Sequence, residues 1–301
     1  MSVENASQAT ELNPQILAAV DGSASSYQAV AWAAVEAGLH HCGLHLLTSM
    51  GIDTGYGRGV ALGTADLEWL RRDSERILVE ATRIARTAAP GDQPRISTEV
   101  SAEPIIPMLI GRSARARMLV VGSRGMGAFR RGMLGSVSTA ATHHAHCPVA
   151  VIHGNSAIDA VSATQPILVG VDGTSNSVGA LDLAFEEASR RKVGLTALHA
   201  WSDVSGLDVP VAGWDGAQES AQATLAEALA GHAERYPDVT VRRIVVANRP
   251  VRSLLDESAN AQLVVVGSHG RGGFQSMVLG STSNALLHSV EIPMIVVREP
   301  A

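Results

Sequence analysis

The chain has 301 residues, room for two domains of ordinary size. With 46% hydrophobic and 17% charged residues it reads as a soluble globular protein with sizeable cores, not a disordered or fibrous one. A formal net charge of −6 and only 3% aromatic residues remove the basic field and the stacking platforms that nucleic-acid or anionic-membrane binding would use.

Residues 16–20 form a short apolar run, as expected for a strand covered on both faces. Asp21, Gly22 and Ser23 turn the chain, and Ser25 or Ser26 is placed to cap a helix. Val30, Ala33, Ala34 and Ala37 then recur at helical spacing. Residues 44–47 predict a second strand, and residues 50–63 a glycine-rich loop. A long helix follows, with Leu67, Leu70, Ser74, Ile77, Ala81, Ile84 and Ala88 on its inner face and arginines and glutamates on the other. Residues 95–100 read as a third strand, and Pro104 suits the first turn of a third helix. Residues 118–121 are a fourth strand, residues 137–145 a fourth helix and residues 148–152 a last strand.

The second half repeats this order. The segment around Asp21 returns around Asp172, 151 residues later; by the third helix, at Pro250, the offset is 146. Leu181, Ala184, Phe185 and Ala188 reproduce the first helical face, and residues 207–216 form the corresponding loop. Residues 241–246 match the third strand, 282–289 the fourth helix and 293–297 the last strand. Residues 154–165 read as a linker. The expectation is two domains, residues 1–154 and 165–301, each an α/β unit of alternating strands and helices with an open parallel sheet.

The most informative stretch is GSRGMGAFRRGMLGS at residues 122–136 and its copy GSHGRGGFQSMVLGS at 267–281, identical at eight of fifteen positions. Each follows an apolar strand and leads into a helix, an arrangement that lets backbone N–H groups hold oxyanions. The paired glycines Gly122, Gly125 and Gly135 recur as Gly267, Gly270 and Gly280, with Ser136 and Ser281 placed to cap the next helix or touch phosphate. If the first and fourth strands of each half are neighbours, each loop shares a crevice at the carboxyl ends of the strands with the acid of its own half, Asp21 in the first and Asp172 in the second. The Gly-Lys-Ser/Thr string of a P-loop is missing, and the first turn is not GxGxxG, so those nucleotide motifs do not apply.

The Asp-Gly opening (Asp-Gly-Ser in the first half, Asp-Gly-Thr in the second) together with GxxGx9GS in both halves resembles the universal stress protein family in its tandem, ATP-binding form, over residues 14–153 and 165–300. The resemblance implies two flavodoxin-like (Rossmann-like) five-stranded parallel sheets of order 3-2-1-4-5, helices on both faces, and one ATP per half, with Mg2+ as an optional companion. It places Ala19, Val20, Asp21, Gly122, Arg124, Gly125, Gly135, Ser136 and Val137 beside the nucleotide in the first half. The second-half equivalents are Gly170, Val171, Asp172, Gly267, His269, Gly270, Gly280, Ser281 and Thr282. Adenine would lie near the end of the second strand, around Ser49–Met50 and Ala200–Trp201.

Other readings stand beside these. Asp21 and Asp172 also suit helix caps or Asx turns. Arg124, Arg130, Arg131 and Arg271 could be surface arginines; Gln275 and Ser276 replace Arg130 and Arg131, so the two halves should differ in affinity. His143, His144 and His146 fit a helix end better than a metal set, since adjacent helical residues diverge by about 100°. Cys42 and Cys147 align with Val193 and Ile292 and read as buried apolar residues.

No catalytic residue is assigned, because no second acid accompanies the loop to orient a water. The functional expectation is an ATP-binding regulatory protein of stress or dormancy physiology, with slow hydrolysis at most. Its alternatives are a true ATPase or nucleotidyl transferase, and a scaffold with vestigial sites. A cytoplasmic location follows from the polar opening residues and the lack of a long apolar run. The apolar last strands predict edge pairing, either between the halves as a pseudo-dimer or between chains as a homodimer.

Overall fold

The computed structural model describes residues 14–51, 63–91, 93–125, 134–154, 161–201, 214–247, 249–270 and 279–298. It separates into two compact units, Met1–Gly154 and Asn155–Ala301.

Unit 1 alternates strictly: β1 (Ile16–Ala19), α1 (Ala24–Leu39), β2 (Leu44–Ser49), α2 (Thr64–Ala88), β3 (Ile96–Ser101), α3 (Ile105–Ser113), β4 (Met118–Gly122), α4 (Ser136–His144) and β5 (Val149–Ile152). Its strands are all parallel, in the order β3-β2-β1-β4-β5. Ile16 pairs with Leu44 on one side and with Met118 on the other. The strand order therefore reverses at β1, and the carboxyl ends of β1 and β4 open a crevice between them.

Unit 2 repeats the plan: β6 (Ile167–Val171), α5 (Val178–Arg191), β7 (Leu195–Ala200), α6 (Trp214–Arg235), β8 (Val241–Val246), α7 (Pro250–Ser258), β9 (Leu263–Gly267), α8 (Ser281–Ser289) and β10 (Met294–Val297). A short 3-10 turn, Ser175–Ser177, precedes α5. The sheet is again parallel, with β6 between β7 and β9 and β10 beyond β9. Both units thus have the flavodoxin-like order 3-2-1-4-5 that the family resemblance implied.

β1 is buried along its length and β6 everywhere but at Gly170, because each is covered on both faces, which explains why they read as unbroken apolar runs. In α1 the buried stripe includes Ala29, Val30, Ala33, Ala34 and Ala37; in α5 it includes Leu181, Ala184, Phe185 and Ala188. Small side chains let α1 lie close to the sheet. The outer strands are more polar. Glu99 of β3 takes both guanidinium NH groups of Arg112 at 2.6 Å, pinning the third strand to the third helix. Unit 2 makes the same pin with its charges exchanged, from Arg242 of β8 to Glu257 of α7 at 3.0 Å.

Several local expectations shift. Neither Ser25 nor Ser26 caps α1: Ser23 does, its hydroxyl accepting from the Ser26 N–H at 3.2 Å. Ser136 and Ser281 are the first helical residues, preceded by the N-caps Gly135 and Gly280, which have no side chain to offer. Pro104 is the N-cap of α3, whereas Pro250 occupies the first turn of α7 as expected. Leu67 is exposed, and burial along α2 begins only at Ser74. The loops at 50–63 and 207–216 and the linker lie largely outside the described residues, as do Arg130, Arg131, Arg271, Gln275 and Ser276.

Candidate functional site

The first turn after β1 is built by its own polar groups. Gly22 and Gly173 adopt left-handed backbone, φ 86° and 76°, which glycine takes without strain. In unit 1 the Asp21 Oδ1 accepts from the Ser23 N–H at 3.0 Å and from its hydroxyl at 2.6 Å. In unit 2 the Asp172 Oδ1 accepts from the Thr174 N–H and hydroxyl, both at 2.8 Å. Both acids therefore make Asx turns, one of the roles their sequence allowed. Oδ2 of Asp21 stands at the glycine loop: a Cβ placed on Gly125 would sit 2.5 Å from it.

The glycines then divide by task. A Cβ on Gly122 would lie 2.8 Å from the carbonyl carbon and oxygen of Ser25, and one on Gly267 2.7 Å from the Asn176 oxygen. Those two glycines admit the first turn of the following layer against the end of the fourth strand. Their absence of a side chain is explained by packing, without any ligand. Gly125 and Gly135 instead form a neck. The Gly135 N–H donates to the Ser123 carbonyl at 2.9 Å, and a Gly135 Cβ would stand 3.6 Å from the Gly125 nitrogen. Unit 2 repeats the neck: the Gly280 N–H donates to the Ser268 carbonyl at 2.7 Å, with Gly270 nitrogen 3.5 Å from a Gly280 Cβ. Just past each neck a helix begins without a side-chain cap, so the N–H groups of its first turn are left for another acceptor.

In unit 1 these parts border a cleft of about 1070 Å³. All nine first-half residues, from Ala19, Val20 and Asp21 through Gly122, Arg124 and Gly125 to Gly135, Ser136 and Val137, line it. A further wall belongs to α2, through Trp69, Leu70, Asp73, Ser74 and Ile77, and Met50 and Ile105 line it as well. The α2 wall was not recognised as part of the site. Its periodicity was visible, but only the fold shows that this face rises beside the crevice. Arg124 brings the positive charge. Asp73 is held by Arg76 at 2.8 Å.

In unit 2 the distances bring Asp172, His269, Gly270 and Gly280 together, a Gly270 Cβ lying 3.4 Å from Asp172 Oδ2. Ser281 and Thr282 open α8 beside them. Two details differ from unit 1. Gly170 lies under Leu254, 3.3 Å from its would-be Cβ, and the Val171 carbonyl is already taken by Nδ1 of the buried His199 at 2.7 Å. Because a carbonyl only accepts, that Nδ1 carries the proton. Thr48 stands at the position of His199 in unit 1.

The remaining candidates sit away from the cleft. His143 and His144 occupy the last turn of α4, about 13 Å along the helix from its glycine end. Burial pushes the Cys147 thiol up to about 12 and raises that of Cys42 as well, fitting apolar filler rather than reactive thiols. The sequence reading also passed over a buried pair on α1, Glu36 and His40 at 3.0 Å, matched on α5 by Glu187 and Arg191 at 3.1 Å. Among the described residues no helix is long and apolar enough to cross a membrane.

Comparison with known proteins agrees with this architecture. The profile of the Universal stress protein family matches residues 13–153 and again 163–298. A universal stress protein of Mycobacterium tuberculosis is 42% identical over 285 residues, covering 94% of this chain and 97% of its own. One from Mycolicibacterium smegmatis is 43% identical over 287 residues, covering 94% and 96%. Among solved structures, a universal stress protein from Archaeoglobus fulgidus superposes with a TM-score of 0.70 at 20% identity, over 94% of this chain and 98% of that one, a likeness of fold. With the duplicated sheet, the duplicated Asx turn and the duplicated glycine neck in place, the chain belongs to the universal stress protein family and carries its domain twice.

Proposed function

We propose that each unit binds an adenine nucleotide, ATP in the first instance, and that the protein works as a nucleotide-dependent regulatory module in a stress or dormancy response. The observation that carries the proposal is the neck of Gly125 and Gly135 leading into an uncapped helix, inside a cleft large enough for a nucleotide. Unsatisfied N–H groups and the positive end of the helix dipole favour phosphate there, in a protein whose net charge would otherwise repel it. Arg124 adds a cation at the same wall. Asp21, with Oδ1 used by the turn and Oδ2 toward the neck, is the group to hold Mg2+ beside the phosphates. In unit 2 Asp172, His269, Gly270, Gly280, Ser281 and Thr282 take the corresponding places.

The same geometry argues for binding over turnover. The acids lining the cleft are Asp21, engaged by Ser23, and Asp73, engaged by Arg76, and neither is set up as a base for an attacking water. Occupancy of the cleft, rather than hydrolysis, is then the signal.

The deciding experiment is to denature protein purified from its host and identify the released nucleotide by mass spectrometry, alongside a melting curve with added ATP. Ligand at one hundred times its Kd should stabilise the folded unit by about 2.7 kcal/mol. Protein that releases no nucleotide and melts unchanged in millimolar ATP refutes the proposal. A homodimer of the whole chain belongs to the same proposal, and a monomer by sedimentation at working concentration removes it.

A further inference from the structure

The inner stripe of α2 changes character along its length. Ile77 packs over the first turn, 3.2 Å from where a Cβ of Gly22 would be, and Ile77 and Ser74 are buried. About two turns toward the helix start, Leu70 and Trp69 still line the cleft, but Leu70 is only half-buried and Trp69 is 65% exposed. Trp69 stands eight residues before Ile77, about 12 Å higher along the helix. It is the largest of the exposed apolar side chains among the described residues, and it is on a cleft wall rather than on an outward face. An indole left in water at the rim of a binding cleft is a surface with its partner missing.

We infer that Trp69 is the base-stacking residue of the first cleft: the purine ring of the bound nucleotide lies against the indole, between it and Met50 at the end of β2. The inference rests on the nucleotide reading and adds a residue that the glycine loop does not supply. Two observations converge on a flat aromatic occupant. The cleft lining includes the apolar Met50, Leu70, Ile105 and Pro107 besides Trp69, groups among which a flat base can lie. The indole offers a π-face that costs little conformational entropy to order, and stacking on such a face tolerates any purine.

Because Trp69 is mostly exposed, it contributes little to folding, so binding and stability separate cleanly. The experiment compares wild type with Trp69→Ala and Trp69→Phe, titrating ATP by calorimetry, following intrinsic fluorescence, and recording melting without nucleotide. Expected are nucleotide-free melting temperatures close to wild type for both variants and an affinity for the first site at least about fivefold weaker in Trp69→Ala. Trp69→Phe should recover most of that affinity. ATP should quench wild-type emission, and the quench should be largely lost in Trp69→Phe although binding persists. Wild-type affinity in Trp69→Ala, or a Phe variant as weak as the Ala variant, overturns the inference while leaving nucleotide binding intact. A wild-type protein with no affinity for ATP overturns both.

Discussion

Replacing Gly122 by alanine tests whether the first glycine of each loop serves packing or ligand. The added Cβ would meet the Ser25 carbonyl carbon and oxygen at 2.8 Å, well inside the roughly 3.5–4.0 Å of a relaxed carbon contact. Both atoms belong to backbone at the start of α1, so no side chain can swing away; α1 must lift from β4. Overpacking of this kind costs about 1–3 kcal/mol. Alanine recovers about 0.4–1 kcal/mol by restricting the unfolded chain. The net loss is then about 1–2 kcal/mol, a drop of several degrees in the melting transition of that unit. Gly267→Ala should behave alike, since its Cβ meets the Asn176 oxygen at 2.7 Å. Gly125→Ala meets only the Asp21 carboxylate, at 2.5 Å, which can rotate, and should lose more nucleotide affinity than stability. Gly270→Ala, with Asp172 Oδ2 at an ordinary 3.4 Å, should be tolerated. Scanning calorimetry without nucleotide gives the ranking. A Gly122→Ala protein that melts at or above wild type, or a Gly270→Ala protein that loses as much, refutes the division of the glycines.

Further outcomes follow from the same contacts. Asp21→Asn keeps an Oδ1 acceptor for Ser23, so nucleotide-free stability should hold within about 0.5 kcal/mol while Mg2+-dependent affinity for ATP falls; Asp21→Ala should lose about 1–2 kcal/mol besides. Equal melting losses in the two variants would show that the charge, not the turn, governs folding. At Glu99 burial raises the carboxyl pKa, but the Arg112 fork and His45 outweigh it and hold the group below its ordinary value. A depressed folded value contributes stability above the unfolded pKa and loses it as pH falls through the folded one. The modest advantage of wild type over Glu99→Gln in urea melts should therefore be present at pH 7 and vanish in acid; an advantage that grows on acidification contradicts the assignment. Finally, a thiol reagent at pH 8 should label neither Cys42 nor Cys147 in the folded protein and both in denaturant, burial having raised both thiols. Rapid labelling of native protein would show that at least one of them is open to solvent.

Much of the plan is a local property of the chain. Strands buried on both faces leave unbroken apolar runs such as Leu263 to Val266, and helical stripes leave intervals of three and four, so the alternation and the duplication can be read before any folding is considered. The Asp-Gly turns belong in the same class, because the Asx bond from Asp21 to Ser23 spans two residues. What sequence could not decide depends on approaches between distant segments. Nothing local tells Gly122, which exists to admit Ser25, from Gly125, which exists to face Asp21. Nor does spacing reveal that Ser23 takes the cap from its serine neighbours, or that the start of α2 stands clear of the core as a wall of a cleft. Periodicity records which face of an element is covered; only the packed tertiary structure decides what covers it, and how closely.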